Sequence, residues 1–370
     1  MRDIADGLRA LLAGGRPFGL ATVVSIRGSA PRPAGASMTV DEQGAAVGSV
    51  SGGCVEGAVY EVAAEVLAGA PPVVETYGIS DETAFSVGLT CGGILDILVQ
   101  PIGQEQAPLL TGLLDLLASE EPVALATVVG GPAPLGAMVA ITADGVTGSL
   151  GAEGLDVAVI DDARGMLAIG QTGTRHYGPH GERRIDEVAV FVQAFTPPPR
   201  MLVFGATDFA AAVARAGVFL GYRVTVCDAR PVFATARRFP EAHEVVCEWP
   251  STYLERTAVD ARTVITVLTH DPKFDVPLLQ VALRSPASYI GAMGSRRTHD
   301  DRLARLKEVG VTEPELARLH SPIGLDLGAR TPEETAISIA AEIVQRRWGG
   351  SGRPLGATDG TIHRDPAVVR

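Results

Sequence analysis

The stretch Met201-Leu202-Val203-Phe204-Gly205-Ala206-Thr207-Asp208 decides how the second half of the chain folds. Four apolar residues running into a glycine predict a buried strand that ends in a sharp turn, and the periodic segment Phe209 to Leu220 predicts a helix. A second strand from Arg223 to Cys227 ends on Asp228, about twenty residues after the glycine. This is the opening βαβ unit of a dinucleotide-binding fold, with Gly205 at the turn and Asp228 where a ribose hydroxyl would be held. The glycine fingerprint G-x-G-x-x-G is nevertheless broken, since Thr207 and Ala210 stand in the second and third places. Asp208 suits the helix N-cap and puts a carboxylate beside the expected phosphate. NAD(P) is therefore an alternative rather than the leading ligand.

Working outward, strand Thr263 to Leu268 runs into Thr269-His270-Asp271, and strand Ser288 to Ile290 runs into Gly291-Ala292-Met293-Gly294-Ser295-Arg296-Arg297. Both clusters fall at carboxyl ends of parallel strands, the edge where open α/β sheets bind ligands. Gly205, Asp228, Thr269, His270, Asp271, Gly291, Ser295 and Arg296 thus form the candidate pocket of a Rossmann-like domain over residues 200–348. His270 could act as acid, base or ligand, although a His-Asp pair opening a helix is commoner, and the Arg296–Arg297 pair suits phosphate or solvent. Thr331, Pro332 and Glu334 predict a capping box ahead of an apolar helix through Val344. Residues 349–370 are Gly-rich and polar, and are expected to be disordered.

Upstream, Pro197-Pro198-Pro199 reads as a stiff spacer. Before it, Leu20-Ala21-Thr22-Val23-Val24 returns as Leu125-Ala126-Thr127-Val128-Val129. At a fixed offset, Met38 then matches Met138, Gly48-Ser49 matches Gly148-Ser149, Leu67-Ala68 matches Leu167-Ala168, and Tyr77-Gly78 matches Tyr177-Gly178. Ordered matches predict an internal duplication. Residues 1–196 are read as an α+β domain of two strand-rich copies, about 15–103 and 121–196. The second copy lacks what marks the first: two cysteines framed by glycines, in Ser51-Gly52-Gly53-Cys54-Val55-Glu56-Gly57 and in Gly88-Leu89-Thr90-Cys91-Gly92-Gly93. Gly154 replaces Cys54, the Arg32-bearing turn is shortened, and Asp156 stands opposite Glu56.

Thiolates are soft metal ligands and sulfur nucleophiles, and flanking glycines let the backbone approach a ligand closely. A lone cysteine is more often a small buried hydrophobe. Two in one half of a duplication point instead to a site, with Cys54 and Cys91 as metal or sulfur ligands. Gly52, Gly53, Gly92, Gly93 and Arg32 would hold anionic oxygens, and Glu56 would position a ligand or proton.

The formal net charge of -12 and pI near 5.1 argue against nucleic acid or an anionic membrane as partner. Pro132 and Pro134 break the uncharged run Pro122 to Ala143 into two strands, so no membrane span is expected. Asp3 and Asp6 are unlike a secretory signal, and four cysteines without a framework or zinc spacing fit a reducing cytoplasm.

The Gly48 to Gly57 and Gly88 to Gly93 loops, the Gly28 to Gly35 turn and most of 200–347 resemble the XdhC/CoxI family, accessory proteins of xanthine dehydrogenase and related molybdenum hydroxylases. The resemblance implies a chaperone that binds molybdenum cofactor and, with a cysteine desulfurase, supports exchange of an oxo ligand for sulfur. It would then deliver the cofactor to the large subunit of a xanthine dehydrogenase-type or CO dehydrogenase-type hydroxylase. A homodimer is compatible with that role, because duplicated strand-rich halves leave edges for another protomer to cover. Where the family commonly has Gly-Ala-Gly-His, this chain has Gly205-Ala206-Thr207-Asp208. Two other classes are carried: an NAD(P)-dependent oxidoreductase and a non-catalytic assembly scaffold.

Overall fold

The computed structural model describes residues 1–28, 30–78 and 93–359. The chain forms two compact units, Met1–Pro197 and Pro198–Arg370. In the first, helix α1 (Ala5–Gly14) precedes strands β1 (Phe18–Arg27), β2 (Ser37–Asp41) and β3 (Ala46–Gly48), then helix α2 (Glu56–Leu67) and strands β4 (Val73–Tyr77) and β5 (Ile94–Ile102). The series repeats as α3 (Ala107–Ala118), β6 (Val123–Gly130), β7 (Met138–Ile141), β8 (Val146–Gly148), α4 (Glu153–Ile169), β9 (Gly173–Tyr177) and β10 (Val188–Phe195). The run Pro122 to Ala143 is accordingly β6 and β7, and no helix of the described residues is long and apolar enough to cross a membrane.

The duplication is complete down to its irregularities. Both copies form antiparallel five-stranded sheets, in the orders β3-β2-β1-β5-β4 and β8-β7-β6-β10-β9. Each central strand carries a bulge at one equivalent residue, Val24 where β1 meets β5 and Val129 where β6 meets β10. An extra residue at a bulge bends the strand and re-aims its side chain; Val24 and Val129 both join a small cluster with Leu98 and Phe191.

The central strands are buried on both faces, which is why they read as unbroken apolar runs rather than alternating ones. On one face, Ala21, Val23, Ile97 and Val99 pack in one cluster with Val59 and Ala63 of α2, and Ala126, Val128, Val190 and Val192 pack likewise with Val159 and Ala163 of α4. On the other face, Phe18, Leu20, Leu125 and Phe195 share a core with Leu8 of α1 and Leu110 and Leu113 of α3. Two glutamines lock this shared layer reciprocally. Gln193 donates from Nε2 to the Gly35 carbonyl at 3.1 Å, and a Cβ on Gly35 would collide with it; a Cβ on Gly136 would collide with Gln100 in the same way.

The second unit contains β11 (Arg200–Phe204), α5 (Asp208–Phe219), β12 (Arg223–Cys227), β13 (Glu244–Val246), α6 (Pro250–Arg256), β14 (Val264–Val267) and α7 (Pro272–Ala282). It continues with β15 (Tyr289–Ala292), α8 (Arg296–Glu308), α9 (Glu313–Leu316), β16 (Leu319–His320) and α10 (Pro332–Trp348). Its sheet is parallel throughout, in the order β13-β12-β11-β14-β15-β16, so the order reverses between β11 and β14. That is the strand order of a six-stranded Rossmann domain.

Three local expectations change. The cap of α5 is Thr207, whose hydroxyl accepts from the Ala210 amide at 3.2 Å, which puts Asp208 inside the helix. Gly291 and Ala292 belong to β15, where the missing Cβ of Gly291 makes room for Ile323. In the predicted tail, Leu355–Ala357 form a short 3-10 turn. The Thr331 capping box at α10 is present as expected.

Candidate functional site

One carboxylate holds the loop between β3 and α2. Glu56 Oε1 accepts from Ser49 Oγ at 2.6 Å and from the amides of Val50 and Ser51 at 3.2 and 2.9 Å. Its Oε2 accepts from Ser51 Oγ at 2.5 Å and from the Gly53 amide at 2.8 Å. Ser51 Oγ in turn accepts from the amides of Cys54 and Val55, and Ser49 Oγ from that of Gly52, each at 2.9 Å. Burial alone would raise the Glu56 carboxyl, but the hydroxyls of Ser49 and Ser51 and the Ser51 amide outweigh it and bring the pKa to about 2. Both Glu56 oxygens and the amides of Gly52 and Gly53 are therefore engaged inside the loop.

Cys54 is half-buried at the rim of the α2 core, in one cluster with Ala30 and Tyr77. Among the described residues beyond their own chain neighbours, no atom lies within 4 Å of where a Cβ would stand on Gly53 or Gly57. Gly53 needs its glycine for a φ of +119°, whereas Gly57 lies inside α2, where glycine costs roughly 1 kcal/mol against alanine and packing gives no reason for it. The Arg32 turn lies alongside, with Pro31 Cβ 3.8 Å from a Cβ built on Gly52. Arg32 pairs through Nη2 with Asp3, and its buried Nε has no partner among the described residues.

Cys91 and Gly92 lie outside the described residues. The residues that flank that segment are adjacent to each other, since a Cβ on Gly78 would stand 3.0 Å from the Gly93 carbonyl oxygen. Gly93 thus closes the β4–β5 edge.

The second copy keeps the latch and lacks the cysteine. Asp156 accepts from Ser149 Oγ and the Leu150 amide, both at 2.7 Å. At the position of Cys54 stands Gly154, and the His180 carbonyl lies where a side chain would have to go, so a cysteine there is excluded by backbone. Val157, 65% exposed, occupies the place of Gly57, so the equivalent helix position of the second copy carries a side chain.

In the second unit the Gly205 amide donates to the Cys227 carbonyl at 2.9 Å, and a Cβ on Gly205 would meet Thr269 Cγ2 at 2.7 Å. Asp228 is buried and engaged on both oxygens. It accepts from the Ala206 amide at 2.7 Å and from Arg230 through the amide, Nε and Nη2 at 2.9, 2.9 and 2.8 Å. Burial would raise its carboxyl; Arg230 and the two amides hold it below the usual carboxylate range. Asp271 caps α7 and pairs with Lys273 at 2.9 Å, His270 is exposed, and Ser295 caps α8 with Arg296 exposed beside it. The sheet order brings Gly205, Asp228 and Thr269 to one edge of the sheet, where the Asp228 carboxylate is already paired with Arg230 and the Ala206 amide.

A buried network missed from the sequence fixes this edge. Thr269 Oγ1 donates to Asp275, which pairs with Arg302 Nη2 at 3.1 Å. Arg302 also donates to the Met293 carbonyl at 2.7 Å and Ser321 Oγ at 3.0 Å. Burial pushes the Asp275 carboxyl up, and Thr269 and Arg302 offset this only in part.

Fold and site define a two-unit protein: a duplicated first unit with a cysteine-bearing loop in one copy, and a Rossmann unit whose ribose acid is already paired. The XdhC Rossmann domain family matches residues 201–343, and the XdhC and CoxI family matches 11–78 and 116–178, one segment in each copy. The chain belongs to the XdhC and CoxI family. It is 29% identical over 342 residues to a probable xanthine dehydrogenase subunit of Bacillus subtilis, covering 92% of this chain and 96% of that one. It is 28% identical over 336 residues to the molybdenum cofactor insertion chaperone PaoD of Escherichia coli, covering 91% and 85%. A crystal structure of a xanthine dehydrogenase from Bacillus halodurans shares the fold at a TM-score of 0.63 and 23% identity, over 96% of this chain and 97% of that one.

Proposed function

We propose that this chain is a maturation factor for a molybdenum hydroxylase of the xanthine dehydrogenase or CO dehydrogenase type, carrying molybdenum cofactor as cargo at the Cys54 loop. The observation that carries the reading is the contrast between two copies of one fold. Both hold the loop with a serine–carboxylate latch, yet only the first carries a thiol there, while the second has Gly154 packed against the His180 carbonyl. The name of the PaoD relative supports the cargo, and that of the Bacillus subtilis relative the class of client.

The donor set fits a carrier. Molybdenum cofactor is a pterin dithiolene with a phosphate, so it asks for a soft ligand, close backbone and a cation. Cys54, and with it Cys91, supplies thiolate to ligate molybdenum or carry sulfur from a cysteine desulfurase. Gly52, Gly53 and Gly57, with Gly92 and Gly93, let the pterin approach, and Arg32, which pairs with Asp3 in the free chain, is the cation assigned to its anionic groups. Glu56 acts through the loop, by holding Cys54 in place. We assign the work to the cytoplasm, where thiols stay reduced.

Full-length protein is expected to copurify with molybdenum and pterin, and Cys54→Ala and Cys91→Ala each to lower both at least roughly tenfold, as loss of a metal-site group does. Equal occupancy in wild type and both variants would remove the thiols from the site. An NAD(P)-dependent oxidoreductase would instead bind NAD(H) or NADP(H) saturably and turn over, against which stands the commitment of Asp228 to Arg230 and Ala206. A scaffold without cargo would keep its hydroxylase partner after loss of both thiols.

A further inference from the structure

The two copies treat one tyrosine differently. Tyr177, the last residue of β9, is 1% exposed, and its hydroxyl donates to Asp162 Oδ2 of α4 at 2.9 Å. Asp162 Oδ1 pairs in turn with Arg183 Nη2 at 3.1 Å, from the connection that follows β9. That connection runs over the same helix face: the His180 carbonyl stands against Gly154, and a Cβ on Gly181 would meet Ala158 Cβ at 3.0 Å. Gly154, Ala158 and Asp162 follow one another at four-residue steps, so they form one stripe about 12 Å long.

Tyr77 ends β4 at the equivalent place, opposite Leu95 as Tyr177 is opposite Val188. The helix beneath it reads Cys54, Ala58 and Val62 at the three stripe positions, so valine stands where α4 has the acid. Tyr77 is half-buried against the cluster that also takes up Cys54 and Val62, and its hydroxyl has no hydrogen-bond partner among the described residues. A tyrosine packed against a core ordinarily finds such a partner, as Tyr177 does. Burial, and then the Glu75 carboxylate, push the Tyr77 phenol up to about 12, so at neutral pH it is an intact donor. If that hydroxyl had only water to satisfy, an acid at position 62 would serve as well as in α4. Valine instead removes the competing acceptor and makes the stripe between thiol and phenol apolar.

We propose that Tyr77 binds the pterin of the cargo: its hydroxyl donates to the polar edge of the ring system, which lies flat on Ala58 and Val62 with the metal end toward Cys54. The inference rests on the assignment of molybdenum cofactor to the Cys54 loop and adds the direction in which the cargo lies. An elongated ligand with a soft metal at one end and a heteroaromatic amide at the other matches a stripe with a thiol at one end and a free donor at the other.

Fluorescence titration of the full chain with molybdenum-loaded cofactor and with metal-free molybdopterin tests it. Tyr77→Phe is expected to weaken both forms about fivefold, the loss of one hydrogen bond, at an unchanged melting temperature because the free chain loses no partner. Val62→Asp, which recreates the acid that holds Tyr177, should weaken both by roughly tenfold or more. Cys54→Ala should weaken only the loaded form. Tyr177→Phe should do the reverse of Tyr77→Phe, lowering the melting temperature and leaving both affinities at the wild-type value. If Tyr77→Phe and Val62→Asp bind both forms like wild type while Cys54→Ala still loses the loaded one, the role of Tyr77 is overturned and the thiol keeps the cargo. A Tyr77→Phe variant that melts as early as Tyr177→Phe overturns it too, since its hydroxyl would then be structural. Wild type that binds neither form overturns the cargo assignment together with this inference.

Discussion

Arg302→Met is expected to destabilise the second unit by about 3–5 kcal/mol, since it leaves the buried Asp275 carboxylate without its cation. Arg302 and Asp275 are 3% and 6% exposed at their side chains, so water cannot replace the lost partner. Arg302 also ties α8 to the residue that follows β15 and to the segment before α10, through Met293 and Ser321. The loss should therefore spread along the carboxyl edge of the sheet. Replacing both partners by apolar residues, as in Asp275→Leu with Arg302→Met, should recover most of it, because the cost lies in the orphaned charge rather than in the absent pair. Both tryptophans, Trp249 and Trp348, lie in this unit, so denaturant titration followed by their emission reports on it alone. A single variant as stable as wild type would show that the pair contributes nothing.

Glu56→Ala should have the second large effect, about 2–4 kcal/mol on the Ser49 to Val55 loop, because five donors lose one acceptor at once. Hydrogen exchange reads it directly: the amides of Val50, Ser51 and Gly53 should lose protection, followed by those of Cys54 and Val55 that depend on Ser51. Asp156→Ala should do less, since Asp156 accepts from only Ser149 and Leu150. The acid dependence has a defined sign. The Glu56 carboxyl is lowered in the folded chain from 4.5 to about 2, so its contribution is complete above pH 4.5 and is lost as pH falls toward 2. Loop protection that stays constant across that interval would contradict the latch.

Much of this architecture is legible in the sequence because it rests on local periodicity. The strand–glycine–helix–strand run from Met201 to Asp228 announces the Rossmann unit, and the recurrence of Leu20–Val24 at Leu125–Val129 announces the duplication. What escapes the sequence depends on side-chain direction or on distant pairing. Thr207 and Asp208 both suit an N-cap, and only backbone geometry chooses the threonine. Asp228 stands where a ribose acid belongs, but its rotamer commits it to Arg230 two residues on. Asp275 and Arg302 come from different helices, and no spacing rule joins them. The latch is an intermediate case: Ser49 with Glu56 and Ser149 with Asp156 repeat at one offset, a signal that registers as duplication before it registers as a hydrogen bond. The same repeat assigns the acid to the scaffold, since both copies use it to hold the loop, and leaves the cysteine to the first copy.

Alkylation of cysteines, followed by mass spectrometry of the full chain with and without bound molybdenum cofactor, tests the central claim most directly. Cys247 is exposed in the second unit and serves as an internal reference. If the cargo sits at the Cys54 loop, the cofactor should slow labelling of Cys54 by roughly tenfold or more while Cys247 reacts unchanged. Cys54 labelling at one rate in both samples, with the cofactor demonstrably bound, would contradict the account and place the cargo elsewhere on the chain.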